Sequence, residues 1–208
     1  MTSPVAKGDL TRADGITLSV LAGLIFAGAS VYLLVGAAQV IRMLASPGAS
    51  TITLLTSSEI PSPSHDGAPQ LVHGVFTTAD VVASGLSGGT RALLATGTGL
   101  GFLTTAVVLG GVAYLIAALS RGKPFARPLP VLALIAGATL AIGTLLAQGL
   151  TVLGQMSAAD ELNPVSDDVF IVGGDFNPTL IFVGIVVMAL AFVFRAGARL
   201  QRDTEGLV

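Results

Sequence analysis

The chain of 208 residues contains no cysteine and no tryptophan, and it has few charged side chains. The absence of cysteine excludes disulfide bonds, cysteine-ligated zinc, iron–sulfur clusters and thiol nucleophiles. Only 11% of the residues are charged, whereas a soluble domain carries about a quarter. A chain with so little charge cannot cover itself with polar surface, so we expect lipid rather than water around most of it.

Long apolar segments take the place of the missing charges. The mean hydropathy is +0.85, and four segments approach or exceed the roughly 20 residues that cross a hydrocarbon core about 30 Å thick. We therefore predict an all-α membrane protein with one membrane domain over residues 1–208. Its four transmembrane helices are predicted at about residues 16–41, 93–119, 129–154 and 179–197.

Two of the predicted loops are long and polar. Residues 46–90 are rich in Ser, Thr, Pro and Gly, and residues 156–178 are acidic and interrupted by proline. Within them, β-branched residues at 51–56, 70–77 and 169–172 predict short strands. We expect these strands to pair in a small cap on the extracytoplasmic side of the membrane.

Basic residues lie mostly on one side of the predicted helices. The N-terminal segment, the inner loop at 120–128 and the end of the last helix with the tail at 198–208 together hold eight of the ten Lys and Arg residues; the other two are Arg42 and Arg91. Because Lys and Arg accumulate in cytoplasmic segments, both termini are predicted to be cytoplasmic.

The basic collar on the cytoplasmic side is the candidate partner-binding surface. Arg195, Arg199 and Arg202 are spaced by four and three residues and so share one face of a helix. The positive-inside rule and attraction to anionic headgroups also predict such a collar, without any partner. The candidate residues are Arg121, Lys123, Phe125, Arg127, Arg195, Arg199, Arg202, Asp203 and Glu205.

The sequence offers no pattern typical of an active site. No ionisable residue lies near the centre of a predicted span, which disfavours a proton relay or an ion pathway. His65 and His73 are too few for a zinc site, and Asp167, Asp168 and Asp175 lack the spacing of a calcium loop. The net charge of −2 gives no indication of nucleic-acid binding, for which a strongly basic domain is expected. We expect no catalytic residue, no metal and no cofactor.

Two alternatives remain open for the residues inside the spans. Thr96, Thr104, Thr144 and Gln148 could line a pore between copies of a small transporter. Small residues four apart permit close helix packing, either within one bundle or against a partner helix or a second copy. Those residues are Gly23 and Ala27, Gly97 and Gly101, and Ala133, Gly137 and Ala141.

Two short motifs flank the last two predicted helices. Gly-x-Pro-Phe occupies residues 122–125, and Leu-x-x-Asp-x-Glu-x-Leu-Val occupies residues 200–208. These motifs, with the helix arrangement from about residue 93 onward, resemble the domain-of-unknown-function family twenty-nine seventy-five, an uncharacterised family of bacterial four-helix membrane proteins. The chain departs from the family in Pro128 and Pro130, which follow the inner-loop motif, and residues 46–90 match no family motif.

The resemblance implies a multi-pass protein of the bacterial cell membrane with no catalytic residues. Family members are often encoded beside a small helix-turn-helix regulator of the Cro type, which implies a cytoplasmic partner. We therefore expect a non-enzymatic membrane protein that engages a regulator or a larger membrane complex through its inner loop and tail, or forms a homo-oligomer. The alternative is a small transporter or permeability protein that acts as an oligomer.

Overall fold

Four long helices account for most of the fold. The computed structural model describes residues 12–45, 50–59, 74–120 and 129–205. Within this part of the chain, four helices are long and apolar enough to cross a membrane. That part of the predicted fold is confirmed. The helices are α1 (Arg12–Ala45), α2 (Gly88–Ser120), α3 (Leu129–Leu162) and α4 (Thr179–Glu205).

The chain divides into two compact units. The α4 unit comprises Met1–Val35, Phe102–Thr144 and Pro178–Val208, and the hairpin unit comprises Gly36–Gly101 and Leu145–Asn177. The helices α1, α2 and α3 contribute residues to both units, whereas α4 belongs to the first unit alone.

In the α4 unit, α3 and α4 pack with their backbones almost in contact. A Cβ on Gly137 would lie 2.7 Å from the amide nitrogen of Met188, and a Cβ on Gly184 would lie 2.6 Å from the amide nitrogen of Ala141. No side chain fits at either glycine. The small-residue motif of α3 therefore serves packing within the chain, where close backbone approach is a main source of helix association in lipid.

The contacts between α2 and α3 follow the same principle. In the α4 unit, a Cβ on Gly143 would collide with the side chain of Thr104. In the hairpin unit, a Cβ on Gly97 would collide with the Thr151 hydroxyl and would lie 2.9 Å from the carbonyl oxygen of Ala147. The glycine that begins the predicted small-residue motif of α2 is thus also used inside the chain.

The hairpin unit contains a two-stranded antiparallel sheet. Strand β1 (Ser50–Leu55) pairs with β2 (Thr78–Ala83) in a register that places Thr53 opposite Asp80. The Thr53 hydroxyl donates a hydrogen bond to Asp80 Oδ1 at 2.6 Å. This cross-strand bond gives the acidic side chain a partner in the middle of the strand.

For residues 74–77, the described part of the predicted second strand, the prediction is wrong. The strand was expected at residues 70–77, of which 70–73 lie outside the described residues, and β2 begins at Thr78. Val75 forms only an isolated bridge, with Glu59. The strand forms later because the alternation of half-buried and exposed residues along β2 ends in buried Ala83, which packs in the core.

The segment after α3 contacts the hairpin as expected, but through a single bridge instead of a strand. Phe170 forms an isolated bridge with Thr56, and the amide of Ile171 donates to the carbonyl of Leu55 at 2.9 Å. The Asn163 side chain bonds to both backbone groups of Phe170. An amide side chain thereby replaces a neighbouring strand.

A small apolar core joins the sheet to the helices of the hairpin unit. Leu54, 1% exposed, is its largest fully buried side chain. Around it lie residues from β1, β2, the start of α2 and the end of α3. The other buried members are Ile52, Ala83, Leu86, Leu94 and Ala158.

Candidate functional site: the end of α4 and its alternatives

Helix α4 continues past the apolar segment that could cross a membrane. The uncharged apolar run that begins at Thr179 ends at Phe194, before Arg195, whereas the helix ends at Glu205. The eleven residues from Arg195 to Glu205 correspond to about 16 Å of helix at 1.5 Å per residue. They include no proline and are mostly good helix formers, which favours continuation of the helix.

The predicted basic residues of this helix end lie along one face. Arg195 is exposed. At about 100° per residue, Arg199 and Arg202 occupy positions within roughly 60° of one another and of Arg195 on the helix circumference. Asp203 and Glu205 occupy positions on either side of this stripe. Around the helix axis, the three basic positions therefore form a stripe between two acidic positions.

The inner-loop part of the candidate surface cannot be placed beside this helix. These residues precede α3, and all of them lie outside the described residues. They are Arg121, Lys123, Phe125 and Arg127.

Within the described residues, no group of three or more His, Cys, Asp or Glu side chains could hold a metal ion. His65 and His73 lie outside these residues. Asp167 and Asp168 have φ angles of 53° and 56°, and the amide of Val169 donates to the carbonyl of Ser166. The two aspartates thus form the centre of a tight turn with two left-handed residues.

The four residues considered for a pore between copies differ in their exposure, and Thr96 is exposed. Thr104 and Thr144 are 4% and 6% exposed, so their side chains are packed inside one chain. The Gln148 amide group donates to the carbonyl of Asn177 at 2.8 Å and accepts from its amide at 2.7 Å. Gln148 therefore fixes the chain just before α4 begins.

Sequence reasoning missed a carboxylate that closes the N-terminus of α2. Glu161, near the end of α3, accepts hydrogen bonds from the Ser87 amide at 2.8 Å and from the Thr90 hydroxyl. The Ser87 hydroxyl in turn accepts from the Thr90 amide, as in an N-cap. A negative charge is favourable at this end of a helix dipole. The sequence signal for this helix N-terminus was Ser87, three residues before Thr90, at the start of the apolar segment.

A second missed contact closes the C-terminus of α1. The Arg91 guanidinium donates to the carbonyl of Met43 at 2.8 and 3.0 Å and to that of Leu44 at 2.6 Å. These carbonyls lie in the last turn of α1, where backbone acceptors have no partner within the helix. Arg91 was one of the two exceptions to the charge asymmetry. Its position is explained by this structural contact.

Comparison with known proteins adds no relative: no family model, no curated protein and no solved structure matches the chain. The resemblance to a bacterial membrane family therefore stays a prediction.

Proposed function

We propose that this chain is a non-enzymatic, multi-pass membrane protein that binds a cytoplasmic partner through the end of α4. The observation that carries the proposal is the continuation of α4 as a helix from Arg195 to Glu205, past the end of its apolar run. A helix with a basic stripe that projects from a membrane offers a preformed surface to an acidic partner. Because the helix is already ordered, binding costs less conformational entropy.

The orientation is part of the same proposal. The charge asymmetry favours a cytoplasmic end for α4, since Lys and Arg accumulate on that side. With the ends of α4 assigned in this way, the hairpin unit's β1 and β2 belong outside the cytoplasm. The membrane concerned is the bacterial cell membrane, as the family resemblance implies.

The length of α3 indicates that part of this helix lies outside the bilayer. Its 34 residues correspond to about 51 Å, well above the roughly 30 Å of a hydrocarbon core. The C-terminal part carries the polar contacts: Gln155 donates to the carbonyl of Thr53 at 3.0 Å, and Glu161 caps α2. We assign the excess length to this end because these polar groups are costly to bury in lipid.

The partner would be either a small helix-turn-helix regulator, which the family resemblance implies, or a subunit of a larger membrane complex. Both would meet the same basic stripe. Attraction to anionic headgroups is the competing explanation of this stripe. The experiment must therefore separate a protein partner from lipid.

The test is extraction of the native protein from its own membranes in mild detergent, followed by cross-linking and mass spectrometry. The proposal predicts a stoichiometric protein cross-linked to residues of the α4 end. The double variant Arg199→Glu with Arg202→Glu should lose this partner. Arg42→Glu is the control, because Arg42 is exposed, donates to the Ala38 carbonyl of its own helix and belongs to α1 instead of α4.

Recovery of the chain alone, or only with copies of itself, would contradict the proposal. So would retention of the partner in the double variant. Size-exclusion chromatography of each variant shows whether the membrane fold is preserved, so that loss of the partner is not confused with loss of the fold.

A further inference from the structure

We propose that a groove between α1 and α2 in the α4 unit binds one acyl chain of a membrane phospholipid. The groove has a volume of about 610 Å³, within the range of about 300–1,000 Å³ typical of small-ligand sites. It lies entirely in the segments that are apolar enough to cross a membrane. The inference goes beyond the proposed partner-binding function and does not depend on it.

The groove lies between two helices that contact each other at two described places. At one place the rings of Tyr32 and Phe102 pack with centroids 4.5 Å apart. At the other the Ser19 hydroxyl bonds to the Ser120 hydroxyl at 3.2 Å. The groove extends from this second contact and is lined by residues within 19–26 of α1 and 110–120 of α2.

Small residues leave this space open. A Cβ on Gly23 or on Gly110 would have no neighbouring atom within 4 Å. Ala22 and Ala113, 6% and 4% exposed, form the floor. The small-residue motif of α1 thus differs from those of α2 and α3, because Gly23 makes no close contact inside the described chain.

The mouth of the groove is aromatic and open. Phe26 is 63% exposed and Tyr114 is 48% exposed, and both line the cavity. At the depth of the spans, the surrounding medium that reaches this mouth is lipid. An acyl chain can therefore enter from the side without separating the helices.

The length of the groove matches one leaflet. From Gly110 to Ser120, the last residue of α2, the helix rises about 15 Å, half of a hydrocarbon core of about 30 Å. The Tyr32–Phe102 contact lies farther along both helices, and neither residue lines the groove. A transmembrane helix of a second copy would run the full depth of the core, so the short groove favours a lipid chain over a helix.

Water is a poor occupant of this groove. The Ser19 and Ser120 hydroxyls bond to carbonyls of their own helices, Gly15 and Ala117, at 2.9 Å. The remaining walls are largely apolar, and apolar cavities stay dry. An empty groove would forfeit the dispersion contacts of all its lining atoms. An acyl chain supplies these contacts without needing a hydrogen bond.

Photolabelling in a bilayer tests the proposal. The protein is reconstituted in vesicles of phosphatidylethanolamine and phosphatidylglycerol that contain a little phosphatidylglycerol with a diazirine on its acyl chain. After irradiation, labelled residues are mapped by mass spectrometry. We expect labelling at residues 19–26 and 110–117 to exceed labelling at the exposed α4 residues Phe182 and Val186, which report ordinary lipid contact.

Two variants sharpen the test. The double variant Gly23→Leu with Gly110→Leu fills the groove and should reduce its labelling to the level of the α4 residues. Gly28→Leu is the matched control, because Gly28 also lies on α1 but does not line the groove. A Cβ added at Gly28 would have no neighbouring atom within 4 Å. Its groove labelling should equal that of the wild type.

Three results would overturn the proposal. One is wild-type labelling of the groove no stronger than that of Phe182 and Val186, a comparison that needs no variant. Another is groove labelling that persists in the filled double variant. The third is an unlabelled groove in a dimer that the double variant converts to a monomer, which would assign the groove to a second copy of this chain.

Discussion

Arg91 and Glu161 each close the end of a neighbouring helix in the hairpin unit. Arg91, on α2, bonds to the last carbonyls of α1, and Glu161, on α3, bonds to the first turn of α2. Each charge has the sign that the facing helix end favours. Polar contacts of this kind hold helix ends together where close packing of small residues does not.

Replacement of Arg91 by alanine should destabilise the folded protein by about 2 kcal/mol, because hydrogen bonds that involve a charged group contribute about 1.5–3 kcal/mol. The measurement is the temperature at which half of the detergent-solubilised protein remains monodisperse on size exclusion. Arg42→Ala, which removes the same charge from an exposed side chain, should leave that temperature unchanged. Equal effects of the two variants would refute the capping role.

Replacement of Glu161 by alanine should lower the same midpoint by an amount that corresponds to about 1–2 kcal/mol, the typical cost of losing a helix cap. Glu161→Gln keeps an acceptor but loses the charge, so its midpoint should lie between those of alanine and the wild type. The neighbouring exposed Asp160 supplies the control, Asp160→Ala. An effect of the control as large as that of Glu161→Ala would show that overall charge matters instead of the cap.

At the scale of elements, helix α3 packs against both α2 and α4 within the α4 unit. Gly143 faces Thr104 of α2, and Gly137 faces Gly184 and Met188 of α4. Each glycine permits a close approach of the helices that a larger residue would prevent. The arrangement depends on which glycines are in contact rather than on their number.

The substitution Gly137→Ala should therefore destabilise the protein by about 1–3 kcal/mol, the usual cost of overpacking. Gly149→Ala, the same change on the same helix, should be neutral or stabilising by up to about 1 kcal/mol, because a Cβ there has no neighbour within 4 Å and alanine favours the helix. Thermal midpoints in detergent give the comparison. A similar midpoint for both variants would contradict the close contact between α3 and α4.

The hairpin gives a second test at the scale of elements. Leu54→Ala should cost about 2–5 kcal/mol, as for other fully buried leucines. Val82→Ala removes an apolar side chain from the partner strand that is 66% exposed, and it should have little effect. Limited proteolysis of the hairpin reports the difference, since a loosened sheet is cleaved faster. Equal cleavage rates in the two variants would show that Leu54 does not hold the sheet.

The helices could be predicted from sequence because a long apolar segment in lipid has few alternatives to a helix. The first strand was also found at nearly its true position. The second strand was not, because Asp80 reads as a residue unfavourable in strands and its partner, Thr53, is far away in sequence. The position of this strand depends on pairing with a segment that is distant in sequence, and a local sequence pattern does not contain that information.

The candidate site was predictable only in part. The spacing of Arg195, Arg199 and Arg202 indicates one helix face, but the extent of α4 beyond the apolar segment required the structure. The α1–α2 groove was not predictable, because Gly23 has the same spacing signal as Gly97. Only the three-dimensional arrangement distinguishes a glycine that contacts a neighbouring helix from one that leaves open space.

At the scale of the whole molecule, the proposed orientation assigns the end of α4 to the cytoplasm and the strands β1 and β2 to the other side of the membrane. Both proposals depend on that membrane, and the partner proposal also depends on the orientation. The absence of native cysteine makes the orientation directly measurable, because any introduced cysteine is the only thiol in the chain.

The most direct measurement is labelling of single-cysteine variants in intact cells with a membrane-impermeant maleimide. Ser57→Cys places the thiol at an exposed position beside β1, and Thr204→Cys places it near the end of α4. The account predicts that Ser57→Cys is labelled in intact cells and that Thr204→Cys is labelled only after the cells are permeabilised. Labelling of both in intact cells, or the reverse pattern, would contradict it.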